Sequence, residues 1–381
     1  MLQRKTYQTA IITALDRSPV TALLGPRQCG KTTIAKEISA TRNSYYFDLE
    51  SPSDQQRLQN AEMYLESLSG LVILDEIQRM PALFDILRVL VDRQGHQCTY
   101  LILGSASLDV VKGVSESLAG RVEFVELSGF DLSEVKADKV NQLWVRGGFP
   151  RSYLAKNGKD SVAWREGFIR TFLERDIPAL GITTPAPAMR RFWSMLAHVH
   201  GQTWNGSELS RSMGQSDKTV RGYLDILTGT FMIRQLQPWY ENLKKRQVKS
   251  PKIYLRDSGI LHSLLNIADY SQLSGHPRLG ASWEGFALEQ VLNVLNTTDV
   301  YFWATHSGAE LDLLFFAGGK RFGVEFKFSD APKVSRSMHM AINDLSLEHL
   351  WVVFPGKSGY PATPEITMLP LADISALSTM S

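Results

Sequence analysis

Val20-Thr21-Ala22-Leu23-Leu24-Gly25-Pro26-Arg27-Gln28-Cys29-Gly30-Lys31-Thr32-Thr33 runs an uncharged, largely apolar stretch straight into two spaced glycines, a lysine and a pair of threonines. The apolar run Val20–Gly25 has the character of a strand buried on both faces. The residues after the second glycine have helical periodicity, so the local order is strand, glycine turn, helix. Glycines let a backbone curl until several N–H groups face one side, and the start of a helix adds its positive dipole end. The result is a cradle for phosphate. The spacing fits GxxxxGK[ST], in which Lys31 reaches the β- and γ-phosphates and the Thr32 hydroxyl ligates magnesium. ATP with Mg2+ is therefore the expected ligand, held by Gly25, Pro26, Arg27, Gln28, Cys29, Gly30, Lys31, Thr32 and Thr33. The bland alternative, a chance glycine turn, does not account for the strand and helix on either side.

Outward from this stretch, Tyr45–Leu49, Leu71–Asp75, Thr99–Gly104 and Val122–Leu127 are further apolar runs separated by helical patterns, which predicts a parallel α/β sheet. Leu71-Val72-Ile73-Leu74-Asp75-Glu76 ends in two carboxylates at the sheet edge where such folds bind ligands. Asp75 would hold the hydrated magnesium, and Glu76 would polarise the attacking water. Ser105, at the end of Leu101-Ile102-Leu103-Gly104-Ser105, is placed either to orient that water or to cap the next helix.

The 381 residues exceed one ordinary hydrophobic core and imply several domains. A hydrophobic fraction of 44% and a formal net charge of +2 fit a soluble globular chain and leave nucleic-acid or membrane attraction to local clusters. Cys29 and Cys98 cannot build a disulfide framework or a CxxC metal site, and no signal-peptide or membrane-spanning run is present, so a cytoplasmic location is expected. The eight histidines show no metal-ligand spacing. Four segments are expected: an ATPase core over 1–130, a helical lid over 131–203, a winged helix-turn-helix over 204–273, and a second α/β domain over 274–381, entered through a linker around Ser274–Gly280.

The order of P-loop, Asp75-Glu76 and Ser105 resembles the AAA-type P-loop ATPases. Ser117-Leu118-Ala119-Gly120-Arg121, Gly147-Gly148-Phe149-Pro150, Glu174-Arg175-Asp176-Ile177 and Pro251-Lys252-Ile253-Tyr254-Leu255-Arg256-Asp257 are similar to a prokaryotic subfamily of them. That subfamily joins the ATPase to a C-terminal domain of unknown function with a restriction-endonuclease-like end. The resemblance implies that Arg121, before the fifth strand, reaches the γ-phosphate of a neighbouring subunit in a homo-oligomer. Read from the residues alone, Arg121 is equally a surface arginine paired with Glu123 or Glu126. Arg151 resembles the lid arginine only loosely.

Leu209 and Met213, with Val220, Leu224 and Leu227, lie at helical spacing on two short helices that share a core, which turns Lys218 and Arg221 outward. In a helix-turn-helix the second helix enters the major groove. Lys244, Lys245, Arg246, Lys249, Lys252 and Arg256 come next with no acid between them, so DNA is an expected partner, with a protein-packing role as the alternative. Trp239 and Tyr240 would be either stacked on bases or packed. Further along the chain, Asp312 and Glu325-Phe326-Lys327 have the D…(D/E)xK spacing of the restriction-endonuclease-like centre, with Glu284 on the preceding helix. The strand period puts Glu325 and Lys327 on one face. Asp312 and Glu325 would then hold magnesium, with Glu284 completing the site. The competing reading makes Glu284 a first-turn dipole partner and Glu325/Lys327 a surface pair. The whole chain thus reads as an ATP-hydrolysing switch acting on DNA, or as a signalling or remodelling ATPase with an inactive docking module at its C-terminus.

Overall fold

Val20–Gly25 (β1) is buried at every position, the environment that an apolar, charge-free strand demands. A computed structural model of the protein describes residues 2–105, 117–240 and 248–379. β1 lies between Cys98–Ser105 (β4) and Val122–Glu126 (β5), and Gly70–Asp75 (β3) and Ser44–Asp48 (β2) continue the sheet on the far side of β4. All the pairings are parallel. Each strand lies within a residue of its expected bounds. Alternation along the strands divides the core in two. Leu23, Ile73, Leu101 and Leu103 pack with Ile11 and Leu15 of Lys5–Arg17 (α1) and Ile34 and Ile38 of Lys31–Ser39 (α2). Ala22, Leu24, Val72, Leu74 and Ile102 pack with Leu83, Phe84 and Leu87 of the helix Ala82–Val91. The N-terminal helix α1 is not among the expected elements, although Tyr7, Ile11, Ala14 and Leu15 stand at helical spacing.

Contacts divide the chain into two units, Met1–Glu134 with Gly229–Phe231, and Val135–Thr228 with Met232–Ser381. The second unit opens with the helices Val140–Arg146, Gly158–Thr171 and Ala186–His198. Glu174-Arg175-Asp176 falls on a π-helical turn, Phe172–Asp176, at the end of the middle one. Gly206–Met213 (α3) stops at Gly214, whose φ of 65° is left-handed, and Asp217–Gly229 (α4) comes next. Leu209, Met213, Val220, Leu224 and Leu227 are buried as their spacing predicts. The pair is completed by an antiparallel sheet in the order Gln202–Thr203 (β6), Lys252–Leu255 (β8), Ile233–Leu236 (β7). Asp257 accepts from the Gly148 N–H at 2.8 Å and caps Ser258–Leu264 through the Ile260 N–H at 2.8 Å. The Gly-Gly-Phe-Pro segment and the segment ending in Asp257 are thus two halves of one internal contact.

The C-terminal part begins with Leu279–Leu295 (α5), so Gly280 belongs to a helix and not to the expected linker. Its six-stranded sheet runs Tyr360–Thr363 (β13), Ile366–Pro370 (β14), His349–Phe354 (β12), Lys320–Phe326 (β11), Glu310–Ala317 (β10), Val300–Ala304 (β9). The centre, β11-β12-β14, is parallel and the flanks are antiparallel. Arg336–Leu345 (α6) covers one face with Met338, Ala341, Ile342 and Leu345. Trp239 is packed and not available to stack on a base: its backbone N–H donates to the Phe302 carbonyl at 2.7 Å, and its ring lies 5.0 Å from those of both Tyr301 and Phe316. Among the described residues no helix is long and apolar enough to cross a membrane.

Candidate nucleotide site and a buried charge cluster

The glycine turn between β1 and α2 is shaped by close packing. A Cβ on Gly25 would come within 2.1 Å of the Leu127 carbonyl oxygen, and Gly30 has a φ of 105°, so neither position tolerates a side chain. Gln28 also lies at positive φ, 63°. Lys31 is buried, and its ammonium donates to the carbonyls of Gly25 at 2.8 Å and Pro26 at 2.9 Å. Such a lysine is folded back along its own loop, within reach of any phosphate that enters.

Strand β3 brings the second half of the site to the same edge. The Thr32 hydroxyl donates to Asp75 Oδ2 at 2.8 Å, and the Tyr46 hydroxyl, from the neighbouring strand β2, donates to the same oxygen at 2.5 Å. Burial and the adjacent Asp75 push the Tyr46 phenol well above its usual range, so it stays protonated and keeps Asp75 oriented. Tyr46 carries no motif signal; its alternation within β2, opposite Ile73, is the available clue. A hydroxyl and a carboxylate converging beside a glycine cradle are the hard oxygen donors that Mg2+ with a nucleotide requires, so the residues fit that pair. Glu76 turns the chain sharply, with φ 57° and ψ 48°, and accepts a hydrogen bond from the Gln78 side-chain amide. Ser105 ends β4 opposite Gly25, between the two halves. Arg27 and Arg79 lie 3.8 Å and 3.3 Å from the Glu50 carboxylate. Arg121 pairs with neither Glu123 nor Glu126. Its guanidinium holds both oxygens of Asp92 at 2.8 Å, and Glu123 is taken by Arg17.

An AAA domain matches residues 17–136, a domain of unknown function (DUF8612) matches 137–271, and another (DUF4143) matches 279–374. The protein named Uncharacterized protein Rv2008c of Mycobacterium tuberculosis and the one named Uncharacterized protein Mb2031c of Mycobacterium bovis are each 48% identical over 374 residues, covering 98% of this chain and 85% of theirs. The chain belongs to their family, as an AAA-type P-loop ATPase. A solved structure titled the Walker-type ATPase paby2304 of Pyrococcus abyssi is similar in fold, with a TM-score of 0.51 at 15% identity, over 70% of this chain and 96% of that one.

In the second unit of the ATPase, Glu284, Asp312, Glu325 and Lys327 do converge. The β10–β11 register sets Leu313 opposite Val324, and so Asp312 opposite Glu325. Lys327 Nζ lies 2.7 Å from Glu325 and 4.0 Å from Asp312, and Asp312 also accepts from the Phe326 N–H at 3.1 Å. Glu284 is a full turn inside α5 and accepts from the Tyr254 hydroxyl at 2.6 Å, so it is not a first-turn dipole partner. The centre of the group is a residue that the sequence pattern misplaces. Lys252, assigned to a phosphate-clamping wing, is 5% exposed. Its ammonium lies 3.2 Å from Asp312 and 3.3 Å from Glu284, and pairs with Glu310 as well. Arg256, assigned likewise, is held by Glu289 together with Arg234.

Burial, and then Asp312, push the Glu284 carboxyl up to about 7 and the Glu325 carboxyl up to about 8. Burial works in the same direction on Asp312, but Lys252 and Lys327 outweigh it and hold Asp312 below the ordinary range. Among the described residues no set of three or more His, Cys, Asp or Glu side chains is arranged to hold a metal ion. The donor set does not fit a magnesium centre, because an ammonium already stands between the carboxylates. Of the remaining expected nucleic-acid contacts, Lys218 and Lys249 are exposed, and Arg221 is paired with Asp225 at 3.1 Å. Lys244, Lys245 and Arg246 lie outside the described residues.

Proposed function

We propose that this protein is an ATP-hydrolysing molecular switch in which Lys31 binds the β- and γ-phosphates, Thr32 and Asp75 hold Mg2+, and Glu76 polarises the attacking water. The observation that carries this reading is the 2.8 Å contact of the Thr32 hydroxyl with Asp75, which joins the loop to the second carboxylate strand. Bound Mg2+ would neutralise phosphate charge, while the protein's own groups orient the nucleotide and the water. Arg121 would serve a neighbouring subunit only after leaving Asp92. Phosphate release from ATP by the purified chain, with and without duplex DNA or RNA, tests the proposal. Turnover that needs Lys31 supports it, and no turnover under any of these conditions rejects it.

Action on DNA through a winged helix is the finer part of the proposal. It is supported by the α3–α4 helix pair and the exposed Lys218 on its second helix. Replacing Lys244, Lys245 and Arg246 by alanine is expected to weaken duplex binding and to flatten its dependence on salt, since each lost phosphate contact lowers the logarithmic slope by about 1. Fluorescence anisotropy across a salt series checks this, and equal slopes before and after remove DNA as the partner of that segment.

A second reading is favoured by one observation, the position of Lys252. With its ammonium among Glu284, Glu310 and Asp312, the C-terminal domain fits a catalytically silent docking module better than a magnesium nuclease. Lys252→Met is expected to destabilise the protein by about 3 to 5 kcal/mol, because buried carboxylates lose their counter-charge. Denaturant unfolding at pH 7 with and without millimolar Mg2+ measures it. Recovery of the lost stability by Mg2+ would instead show a metal site that the lysine fills.

A further inference from the structure

Arg4 belongs to no motif and precedes α1, yet its side chain is only 7% exposed. All five of its N–H donors are used. Nε and Nη2 hold the two oxygens of Glu134 at 2.5 and 3.0 Å. Nη1 donates to the carbonyls of Cys29 at 3.0 Å and Ser128 at 3.1 Å, and Nη2 donates to the carbonyl of Gly129 at 2.8 Å. The guanidinium also lies 4.6 Å from the Tyr7 ring centre and 5.3 Å from that of Phe130. Burial works against its charge, and Glu134 outweighs burial, so Arg4 stays a cation.

Cys29 is the residue before the second glycine of the phosphate loop. Its carbonyl and the N–H of Gly30 belong to one planar trans peptide, so they point in opposite directions. A carbonyl drawn onto Arg4 aims the Gly30 N–H away from Arg4. A second contact braces the same loop from the same side: the Leu127 N–H donates to the Leu24 carbonyl at 2.7 Å, and the Leu127 carbonyl presses on Gly25. Segment 127–134 is therefore the outer wall of the loop, and Arg4 is the rivet through it.

We propose that Arg4 is a positioning residue of the nucleotide site, which holds the Cys29 carbonyl outward so that the Gly30 N–H is presented to the β-phosphate of ADP or ATP. The proposal rests on the nucleotide-binding reading and adds to it a residue outside the loop. Only arginine supplies five donors in a fixed fork, whereas lysine has three and no fork. A helix staple alone would affect stability and leave nucleotide affinity unchanged.

The test is titration of the full chain with fluorescent ADP and ATP, well below the thermal midpoint of each variant. Arg4→Ala is expected to weaken both nucleotides by the same factor, about tenfold to a hundredfold, the value of a hydrogen bond to a charged group. Arg4→Lys should recover part of that loss. Should Arg4→Ala fail to fold, Arg4→Lys and Glu134→Gln carry the test, each with a smaller loss in the same direction. Wild-type affinity in any folded Arg4 variant overturns the proposal. A wild-type chain that binds neither nucleotide sinks the site reading itself, which is a different failure.

Discussion

Lys31→Ala should lower the affinity for ATP and ADP by roughly two to four orders of magnitude. The ammonium rests on two neutral carbonyls, those of Gly25 and Pro26. An arriving phosphate exchanges these for charged oxygens, and hydrogen bonds to charged groups are worth about 1.5 to 3 kcal/mol each. Loss of two such bonds removes about 3 to 6 kcal/mol of binding, which sets the size of the effect. No neighbour can take over: Arg27 leans toward Glu50, and Arg4 has committed every donor behind the loop. Some folding stability should be lost as well, because Gly25 and Pro26 are buried and their carbonyls lose a donor, so affinity is compared well below the thermal midpoint of the mutant. Equilibrium titration with labelled nucleotide checks the result, and unchanged affinity in the mutant would remove this loop as the nucleotide site.

Why the sequence alone reaches this loop but not Arg4 has a physical reason. The cradle is contiguous: strand, glycines, lysine and threonine occur in the order in which they meet the ligand, so spacing carries the geometry. Arg4 finds its partners 25 to 130 residues away, and nothing in its neighbourhood distinguishes it from the solvated Lys5. Tyr46 presents the same difficulty, since its role exists only once β2 pairs with β3. Long-range contacts of this kind are set by topology.

Lys252 and Arg256 escape the sequence pattern for another reason, although their signals are present in it. A run of cations without an acid reads as one solvated face. The two-residue period of a strand sorts it differently, putting Lys252, Tyr254 and Arg256 on one side and Ile253 and Leu255 on the other. Across from them, α5 carries no charged residue besides Glu284 and Glu289. Acids isolated in a buried helix require cations from elsewhere, and Lys252 of β8 and Arg256 just after it supply them. Asp312, Glu325 and Lys327, which the D…(D/E)xK spacing groups, lie within ion-pair distance of one another through Lys327. The spacing is silent about the ammonium of Lys252 among them, because that lysine arrives from a different part of the fold.

Glu76→Gln should leave ATP bound while hydrolysis falls by about two to four orders of magnitude, the usual contribution of a positioned general base. The amide keeps the size of the carboxylate and its ability to accept from Gln78, so the loop after β3 should hold its shape. It cannot draw a proton from water. The backbone gives an independent reason to place function here. Glu76 occupies the left-handed region at φ 57°, a conformation that costs a non-glycine residue about 1 kcal/mol or more and tends to persist where a site needs it. Asp75, one residue earlier, remains engaged with Thr32 and Tyr46, so nucleotide affinity should match that of the wild type. The pairing of outcomes is diagnostic: Lys31→Ala weakens binding by orders of magnitude, whereas Glu76→Gln traps the bound triphosphate. Filter retention of labelled ATP alongside phosphate release separates them. If Glu76→Gln turns over ATP at the wild-type rate, the water is activated elsewhere and Glu76 has no catalytic role; if it loses affinity as well, the residue shapes the site and does not act on the water.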